Sequence, residues 1–204
     1  MSDDAATALV DVVRRLHGRG LAPGTGGNMS AVGAGGLWIT ASGVDKGRLT
    51  VDDLVQVDAA GHQRAGRGKP SAETALHVAL VARGAGAVLH VHSVWNTLAS
   101  LRAAADGALR LTGVEMLKGL AGVTSHHHRE VVPVIANSQD LPALAAHLGR
   151  SVDEHRHCHG VLVAGHGLYT WGRDLVEAER HVEVFEFLFE VHERALAGGI
   201  PWPA

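Results

Sequence analysis

The sequence predicts an α/β fold built on a mixed, largely antiparallel sheet that helices cover. Segments with the 3.6-residue period of amphipathic helices alternate along the chain with short apolar runs typical of strands. The loops between the first strands are too short for the helical crossover that parallel neighbours need. Most neighbouring strands should therefore be antiparallel.

The N-terminal third contains one helix and two short strands. Apolar residues on one face predict a helix over residues 3–17. Acidic residues mark its start, and Gly18 marks its end. The glycine-rich stretch 21–36 has no period and is predicted to be a loop. Short apolar runs predict strands at 37–40 and 54–58, with a polar loop between them and a flexible polar stretch after the second.

The rest of the chain alternates helices and strands. A helix is predicted over residues 71–84, with Ser71 as its N-cap and Gly84 as its terminator. The later helices are predicted at 93–103, 140–154 and 174–199. The later strands are predicted at 87–92, 129–136, 160–167 and 168–172.

Composition limits the class of protein. The 204 residues, with no repeat and no linker, predict one domain over residues 1–204. A net charge of −3 argues against nucleic acid or an acidic membrane as partner. No run is apolar enough for a membrane span, the acidic N-terminus does not resemble a signal peptide, and Cys158 is the only cysteine. We therefore expect a cytoplasmic protein.

Two histidines at the end of an apolar strand indicate a metal site. His90 and His92 are two residues apart, so they project from the same face of the strand. His166 is the best third ligand, because it also ends an apolar run and has glycines on both sides. Three imidazoles suit Zn²⁺, with Mn²⁺, Co²⁺ and Fe²⁺ left open. The alternative is that these are ordinary core or surface histidines.

Two glycine-rich loops could bind an anion. "GTGGNMS" (24–30) and "ASGVDKG" (41–47) combine small residues with Asn28, Ser42 and the nearby Lys46. The expected helix start at Ser71 adds further backbone N–H groups. Each loop taken alone could equally be an ordinary surface turn.

Two glutamates are candidates for proton transfer. Glu73 lies in the expected first turn of a helix, where the helix dipole would stabilise a carboxylate in any case. Glu115 lies between apolar stretches, where a partly buried carboxylate with a raised pKa could act as a general base. The alternative for Glu115 is a solvated residue at a helix start.

Five motifs, taken in order, resemble the class II aldolase/adducin-type family. They are "GTGGNMS", "WITASGVDKG", "KPSAETALH", "AVLHVHS" and "VLVAGHGLYTWG". The resemblance implies an α/β/α sandwich that assembles as a homotetramer with active sites between subunits. The implied ligands of one Zn²⁺ per subunit are His90, His92 and His166. The implied phosphate-binding residues are Asn28, Ser42, Gly43 and Ser71.

The resemblance also implies a reaction on a sugar phosphate. The glutamate that matches Glu73 is the acid/base of the aldolase branch, and the one that matches Glu115 serves the dehydratase branch. "GVEMLKGL" and "VPVIANSQDLPAL" resemble the dehydratase branch, which implies loss of water from a 2-ketose phosphate with Glu115 as the favoured base. The alternatives are cleavage or epimerisation of a sugar phosphate, and a metal-free interaction domain of the adducin type. The presence of all three histidines argues against the last of these.

Three further features bear on metal binding and substrate contact. The triple histidine 126–128 is expected to be a solvated loop, with a second metal site as the alternative. Cys158 is expected to be a small buried residue, with metal binding as the alternative. Ala72 stands where some relatives have a cysteine that contacts substrate, so that contact is expected to be absent.

Overall fold

A nine-stranded sheet forms the centre of the protein in the computed structural model, which describes residues 4–203. The strands are β1 (Asn28–Gly33), β2 (Gly36–Thr40), β3 (Leu54–Val57), β4 (Gln63–Ala65), β5 (Ala87–Val91), β6 (Ala108–Leu111), β7 (Glu130–Ile135), β8 (Gly160–Val163) and β9 (Gly167–Gly172). The helices are α1 (Asp4–Gly18), α2 (Thr74–Val81), α3 (Val94–Ala103), α4 (Leu141–Glu154) and α5 (Leu175–Ala197). Residue 3, the first residue of the predicted N-terminal helix, lies outside the described residues.

The strand order is β4-β3-β2-β1-β5-β9-β8-β7-β6. Every pair of neighbours is antiparallel except β7 and β8, which run parallel with α4 as their crossover. The predicted mixed, largely antiparallel sheet is therefore confirmed.

Helices cover both faces of this sheet, so the fold is an α/β/α sandwich. Alternation along β5 divides the core, because Leu89 packs with α1, α3 and α5, whereas Val88 packs with α2 and α4. His90 has the same strand parity as Val88 and points toward the layer of α2 and α4. The side of the sheet on which the site lies thus follows from strand alternation.

Side-chain caps set where three helices begin. Ser93 accepts from the backbone N–H of Asn96 at the start of α3, Asp140 caps α4, and Asp174 caps α5. Helix α2 differs from the prediction. It begins at Thr74, its N-cap is Glu73, and Ser71 is not the N-cap. Residues 71–73 instead form a turn in which the N–H of Thr74 donates to the carbonyl oxygen of Ser71.

Three strands were not predicted. β1 lies inside the glycine-rich stretch, where glycines on both sides hide a short run of strand residues. β4 is a fully exposed edge strand in the polar segment predicted to be flexible, so it carries no alternation of apolar residues. β6 is only four residues long. Among residues 4–203, no helix has the length and apolar character needed to cross a membrane.

Candidate metal centre and anion cleft

Three histidines from two parts of the chain meet at one edge of the sheet. His90 lies in β5, and His92 follows just past the end of the strand. His166 lies in the turn between β8 and β9, which the pairing of Tyr169 with His90 brings beside β5. Nε2 of His90 lies 2.8 Å from Nε2 of His92 and 3.3 Å from Nε2 of His166. The structure therefore brings together the three predicted ligands within one chain.

The surroundings of these rings leave their ligand atoms available. Nδ1 of His90 donates to the carbonyl oxygen of Leu168 at 3.0 Å, so its Nε2 carries no hydrogen in the neutral ring. Burial, with the neighbouring His92 and His166, lowers the pKa of His90 well below its ordinary value of 6.5. Burial also lowers the pKa of His92 to about 4. Both rings are therefore neutral at neutral pH, as metal coordination requires.

The histidine cluster fits a divalent metal ion. One ligand atom from each ring lies within 4.8 Å of the other two. The Nε2 atoms of His92 and His166 both face Nε2 of His90, so the three ring nitrogens converge on one point. Three histidines without a thiolate are a ligand set that zinc and similar borderline ions accept, and such a set leaves a coordination position for a substrate oxygen.

Two glycines allow the backbone to approach the histidines closely. Gly27 has a φ of +70°, and a Cβ atom there would lie 2.7 Å from the carbonyl oxygen of His90. A Cβ atom at Gly167 would lie 2.8 Å from Cδ2 of His92. Side chains at either position would displace the loop that holds a ligand.

Glu73 places a carboxylate beside the metal cluster. Its Oε2 lies 3.4 Å from Nε2 of His90, and its Oε1 lies 3.4 Å from Nε2 of His166. As the N-cap residue of α2, it makes no side-chain hydrogen bond to that helix. Its carboxylate thus faces the histidines, and a purely structural role at the helix start does not explain this orientation.

A buried chain of hydrogen bonds holds Glu73 in this orientation. Nδ2 of Asn28 donates to Oε2 of Glu73 at 2.6 Å, so Oδ1 of Asn28 faces Nε2 of His77 at 2.5 Å. An amide oxygen can only accept, so Nε2 of His77 carries the hydrogen. Burial lowers the pKa of His77 to about 3, which leaves Nδ1 bare to accept from the hydroxyl of Ser30 at 2.7 Å. His77 therefore fixes which end of the Asn28 amide faces Glu73.

Replacing His77 with leucine is expected to destabilise the protein by about 2 kcal/mol, because Asn28 and Ser30 would keep buried polar atoms without partners. Urea unfolding of His77→Leu measures this loss. The matched control is His157→Leu, since His157 is exposed and its replacement should leave the free energy of unfolding within about 0.5 kcal/mol of the parent value. Equal stability of the two variants would contradict the assigned network.

A cleft of about 340 Å³ opens beside the histidines. All four residues of the expected phosphate pocket line it: Asn28, Ser42, Gly43 and Ser71. Lys46 also lines the cleft, is almost fully buried, and donates from Nζ to the carbonyl oxygen of Thr25 at 2.7 Å. A cation and several hydroxyl groups in one concave site favour an anionic ligand. The two glycine-rich loops thus form one cleft rather than separate surface turns.

Glu115 does not reach this cleft within its own chain. It begins a short 3₁₀ helix, Glu115–Gly119, and its carboxylate is exposed. A hydrogen bond from Lys118 at 2.7 Å, with the charge of that lysine, lowers the pKa of Glu115. In the single chain, Glu115 is thus a solvated residue at a helix start, and it lacks the burial that would raise its pKa.

Local sequence patterns do not identify several residues that lie at the site. Ser138 and Gln139 line the cleft because β7 and β8 are parallel, so that the segments following both strands leave the sheet at the same edge. Tyr169 is buried and stacks on His90 with ring centroids 3.9 Å apart. Burial and the charge of Glu73 raise the pKa of Tyr169 well above 10. The phenol therefore stays protonated beside the carboxylate.

Cys158 and the triple histidine lie in other surroundings. Burial, with the charge of Glu130, raises the pKa of Cys158 to about 12, so the group stays a thiol and is a poor metal ligand. His126 and His127 stack on each other, and His128 bonds to Glu130 at 2.9 Å.

The fold and the histidine cluster define an α/β/α protein with a candidate metal site beside a polar cleft. The chain belongs to the Class II Aldolase and Adducin N-terminal domain family, whose pattern matches residues 7–192. The resemblance stated from the five motifs is therefore confirmed.

Curated relatives match nearly the whole chain. Methylthioribulose-1-phosphate dehydratase of Methylococcus capsulatus is 46% identical over 192 residues, which are 93% of each chain. The protein of the same name from Sorangium cellulosum is 43% identical over 199 residues, which are 96% of this chain and 93% of the relative.

Solved structures with the same fold include L-fuculose 1-phosphate aldolases. One superposes with a TM-score of 0.80 at 23% identity, and covers 100% of this chain and 91% of that chain. The enzyme from Thermus thermophilus superposes with a TM-score of 0.75 at 28% identity, and covers 95% of this chain and 97% of that chain.

Proposed function

We propose that this protein is a lyase that dehydrates 5-methylthioribulose 1-phosphate to 2,3-diketo-5-methylthiopentyl 1-phosphate in methionine salvage. The observation that carries the proposal is the identity of 46% over 93% of the chain with a methylthioribulose-1-phosphate dehydratase. The local chemistry supports it, because a three-histidine cluster, a carboxylate and an anion cleft lie side by side. An enzyme that acts on a phosphorylated ketose needs these groups.

We propose Zn²⁺ as the metal, with one ion per subunit held by His90, His92 and His166. When bound, the ion would act as a Lewis acid that polarises the C2 carbonyl of the substrate. The protein's part is to hold three neutral rings in place. Leu168 orients the His90 ring, and the turn before β9 presents His166.

We propose that the cleft binds the phosphate group of the substrate. Ser42, Ser71 and Asn28 would donate to the phosphate oxygens, and Gly43 lets the backbone approach them. Lys46 would offset part of the phosphate charge. Anchoring the phosphate here places the sugar carbons toward His92 and His166, which line the same cleft.

In this proposal, each of two carboxylates carries out one proton transfer. A base removes the C3 proton, and the C4 hydroxyl leaves as water after accepting a proton. We assign the C3 proton to Glu115 of a neighbouring subunit, because Glu115 is exposed and lies outside the cleft of its own chain. We assign Glu73 to the hydroxyl that leaves, because it faces the histidines from within the cleft.

This division needs a homotetramer with active sites between subunits. Met116, next to Glu115, and Phe187 of α5 are large apolar side chains that are exposed in the single chain. They line one groove together with Trp95. Apolar surface beside an exposed carboxylate supports a subunit contact at this place. We propose a cytoplasmic location, since the one cysteine in the sequence allows no disulfide within the chain.

A product assay tests the proposed function. The metal-replete protein is expected to convert 5-methylthioribulose 1-phosphate into a product lighter by one water, with exchange of the C3 proton into solvent. L-fuculose 1-phosphate serves as the control substrate, and no dihydroxyacetone phosphate should form from it. An unchanged methylthioribulose phosphate would overturn the proposal, and release of dihydroxyacetone phosphate would favour an aldolase on the same scaffold.

A further inference from the structure

A second buried cluster of ionisable groups lies away from the metal centre. Its centre is Glu130 at the start of β7, which is 1% exposed. Glu130 accepts hydrogen bonds from the His159 backbone N–H at 2.9 Å, from Nδ1 of His159 at 3.0 Å, and from Nε2 of His128 at 2.9 Å. His181 of α5 lies beside His159, with ring centroids 5.2 Å apart. The proposed reaction uses none of these residues.

Two of these histidines hold one residue of the loop that follows the Glu115–Gly119 helix. Nε2 of His159 donates to the carbonyl oxygen of Ala121 at 2.8 Å. Nε2 of His181 accepts from the backbone N–H of Ala121 at 3.0 Å. Both backbone polar groups of Ala121 are therefore bound by histidine side chains. We call these two contacts the Ala121 clamp.

The clamp requires two different protonation states. His159 faces acceptors on both nitrogens, Glu130 at Nδ1 and Ala121 at Nε2, so only the imidazolium form satisfies both. His181 donates from Nδ1 to the carbonyl oxygen of Trp171 and accepts at Nε2, so it must be neutral. Burial alone would lower the pKa of His159, but the hydrogen bond and charge of Glu130, together with the hydrogen bond to Ala121 and the charge of Glu177, outweigh burial and raise it. Burial lowers the pKa of His181.

The clamp acts on the segment that carries Glu115. Leu117 and Leu120 bury the apolar side of this segment, and Ala121 is the next residue after them. Apolar contacts allow sliding, whereas two hydrogen bonds of opposite direction at one residue fix position and orientation. We propose that His159 and His181 are positioning residues that hold segment 115–121 and thereby set where the Glu115 carboxylate lies. This inference rests on the role proposed for Glu115.

Two substitutions separate the clamp from a general effect on the fold. His159→Asn keeps a donor near the Nδ1 position, toward Glu130, but cannot reach Ala121. His159→Gln keeps a donor near the Nε2 position, toward Ala121, but leaves Glu130 without that partner. Both variants lose the same positive charge. They therefore differ only in whether the contact with Glu130 or the contact with Ala121 remains. His157→Asn, at an exposed position two residues away, is the matched control.

Enzyme kinetics give the first test. His159→Asn is expected to lower kcat about tenfold or more with little change in KM, as loss of a hydrogen bond from a charged group would do. His159→Gln is expected to retain most of the kcat, and His157→Asn all of it. In a Glu115→Gln background, His159→Asn should cause no further loss. Equal losses in the Asn and Gln variants, or a full further loss in the Glu115→Gln background, would overturn the inference.

Hydrogen exchange gives a second test that needs no substrate. The Ala121 amide donates to His181, and loss of the carbonyl contact to His159 should let the segment move away from that acceptor. This amide should therefore exchange about tenfold faster in His159→Asn than in His159→Gln, while amides of β5 stay unchanged. In the parent protein, protection of residues 115–121 should fall as the pH rises through the raised pKa of His159, after correction for intrinsic exchange. The charged or titratable groups around His159 are Glu130, His128, His181 and Glu177.

The two tests fail in different ways. If the protein does not dehydrate its proposed substrate but Ala121 exchanges as expected, the proposed function fails and the clamp stands as a structural feature. If dehydration occurs and Ala121 exchanges equally fast in the Asn and Gln variants, the clamp is wrong. If His159→Asn does not fold, the pH dependence of hydrogen exchange in the parent protein tests the inference instead. Constant protection of residues 115–121 as the pH rises through the pKa of His159 would overturn it.

Discussion

Replacing His166 with alanine is expected to abolish tight metal binding and to lower the rate of dehydration about a thousandfold or more. The two remaining histidines, His90 and His92, cannot complete the three-ligand set that a catalytic metal needs. Loss of the ion removes several kcal/mol of charge stabilisation, and each 1.36 kcal/mol corresponds to tenfold in rate. His166 lies in a turn, so its loss tests the metal more cleanly than loss of the fully buried His90.

Metal analysis and thermal unfolding together check this expectation. The parent protein should hold about one ion per chain, and added zinc should raise its Tm by mass action. His166→Ala should hold almost none, and its Tm should not respond to zinc. His157→Ala controls for loss of a histidine as such, because its side chain is exposed and should leave metal content unchanged. A His166→Ala protein that retains a full metal content would show that the ligand set is wrong.

Strand alternation explains why the metal cluster could be predicted from the sequence. His90 and His92 are separated by one residue at a strand end, and this spacing alone puts them on one side. His166 was predicted because a second apolar run ends next to glycines. The pairing of β5 with β9 could not be predicted from the sequence. This pairing places Tyr169 opposite His90 and thereby brings His166 beside the other two histidines. That register depends on contacts between residues about 80 positions apart.

The anion cleft could be predicted only as separate loops. Asn28, Ser42 and Ser71 come from three segments, and only the fold shows that they face one cavity. The prediction at Ser71 was partly wrong, since the helix begins at Thr74 and Glu73 turns its carboxylate toward the histidines. Propensity rules predict a helix start to within a few residues, and here such a shift decides where the glutamate points.

Buried polar partners could not be predicted from local patterns. His77 lies on the buried side of α2, and nothing in its neighbourhood along the chain points to Asn28, which is 49 residues away. The same holds for Glu130, whose partner His159 is 29 residues distant. Such pairs form because an unpaired buried polar group is costly, and this rule acts only once the fold has brought the residues together.

Replacing Glu115 with glutamine is expected to lower the rate of dehydration about a hundredfold or more, in keeping with loss of a general base. Glutamine keeps the size of the side chain and cannot accept the C3 proton. Exchange of that proton into solvent should stop in Glu115→Gln. Glu73→Gln should also slow dehydration, but it should leave some exchange at C3, because its proposed role is at the hydroxyl that leaves. The two variants therefore separate the two proton transfers.

Mixing inactive subunits tests whether Glu115 acts across a subunit interface. Glu115→Gln chains keep intact histidines, and His166→Ala chains keep an intact Glu115. In an equal mixture of randomly exchanged subunits, about a quarter of the sites should combine the two intact parts and regain activity. Glu73→Gln mixed with His166→Ala is the matched control. Glu73 and His166 lie 3.4 Å apart in one chain, so no site in that mixture can be complete. Recovery in the first mixture alone places Glu115 in the neighbour's site, whereas no recovery in either mixture, after confirmed subunit exchange, rules out that arrangement.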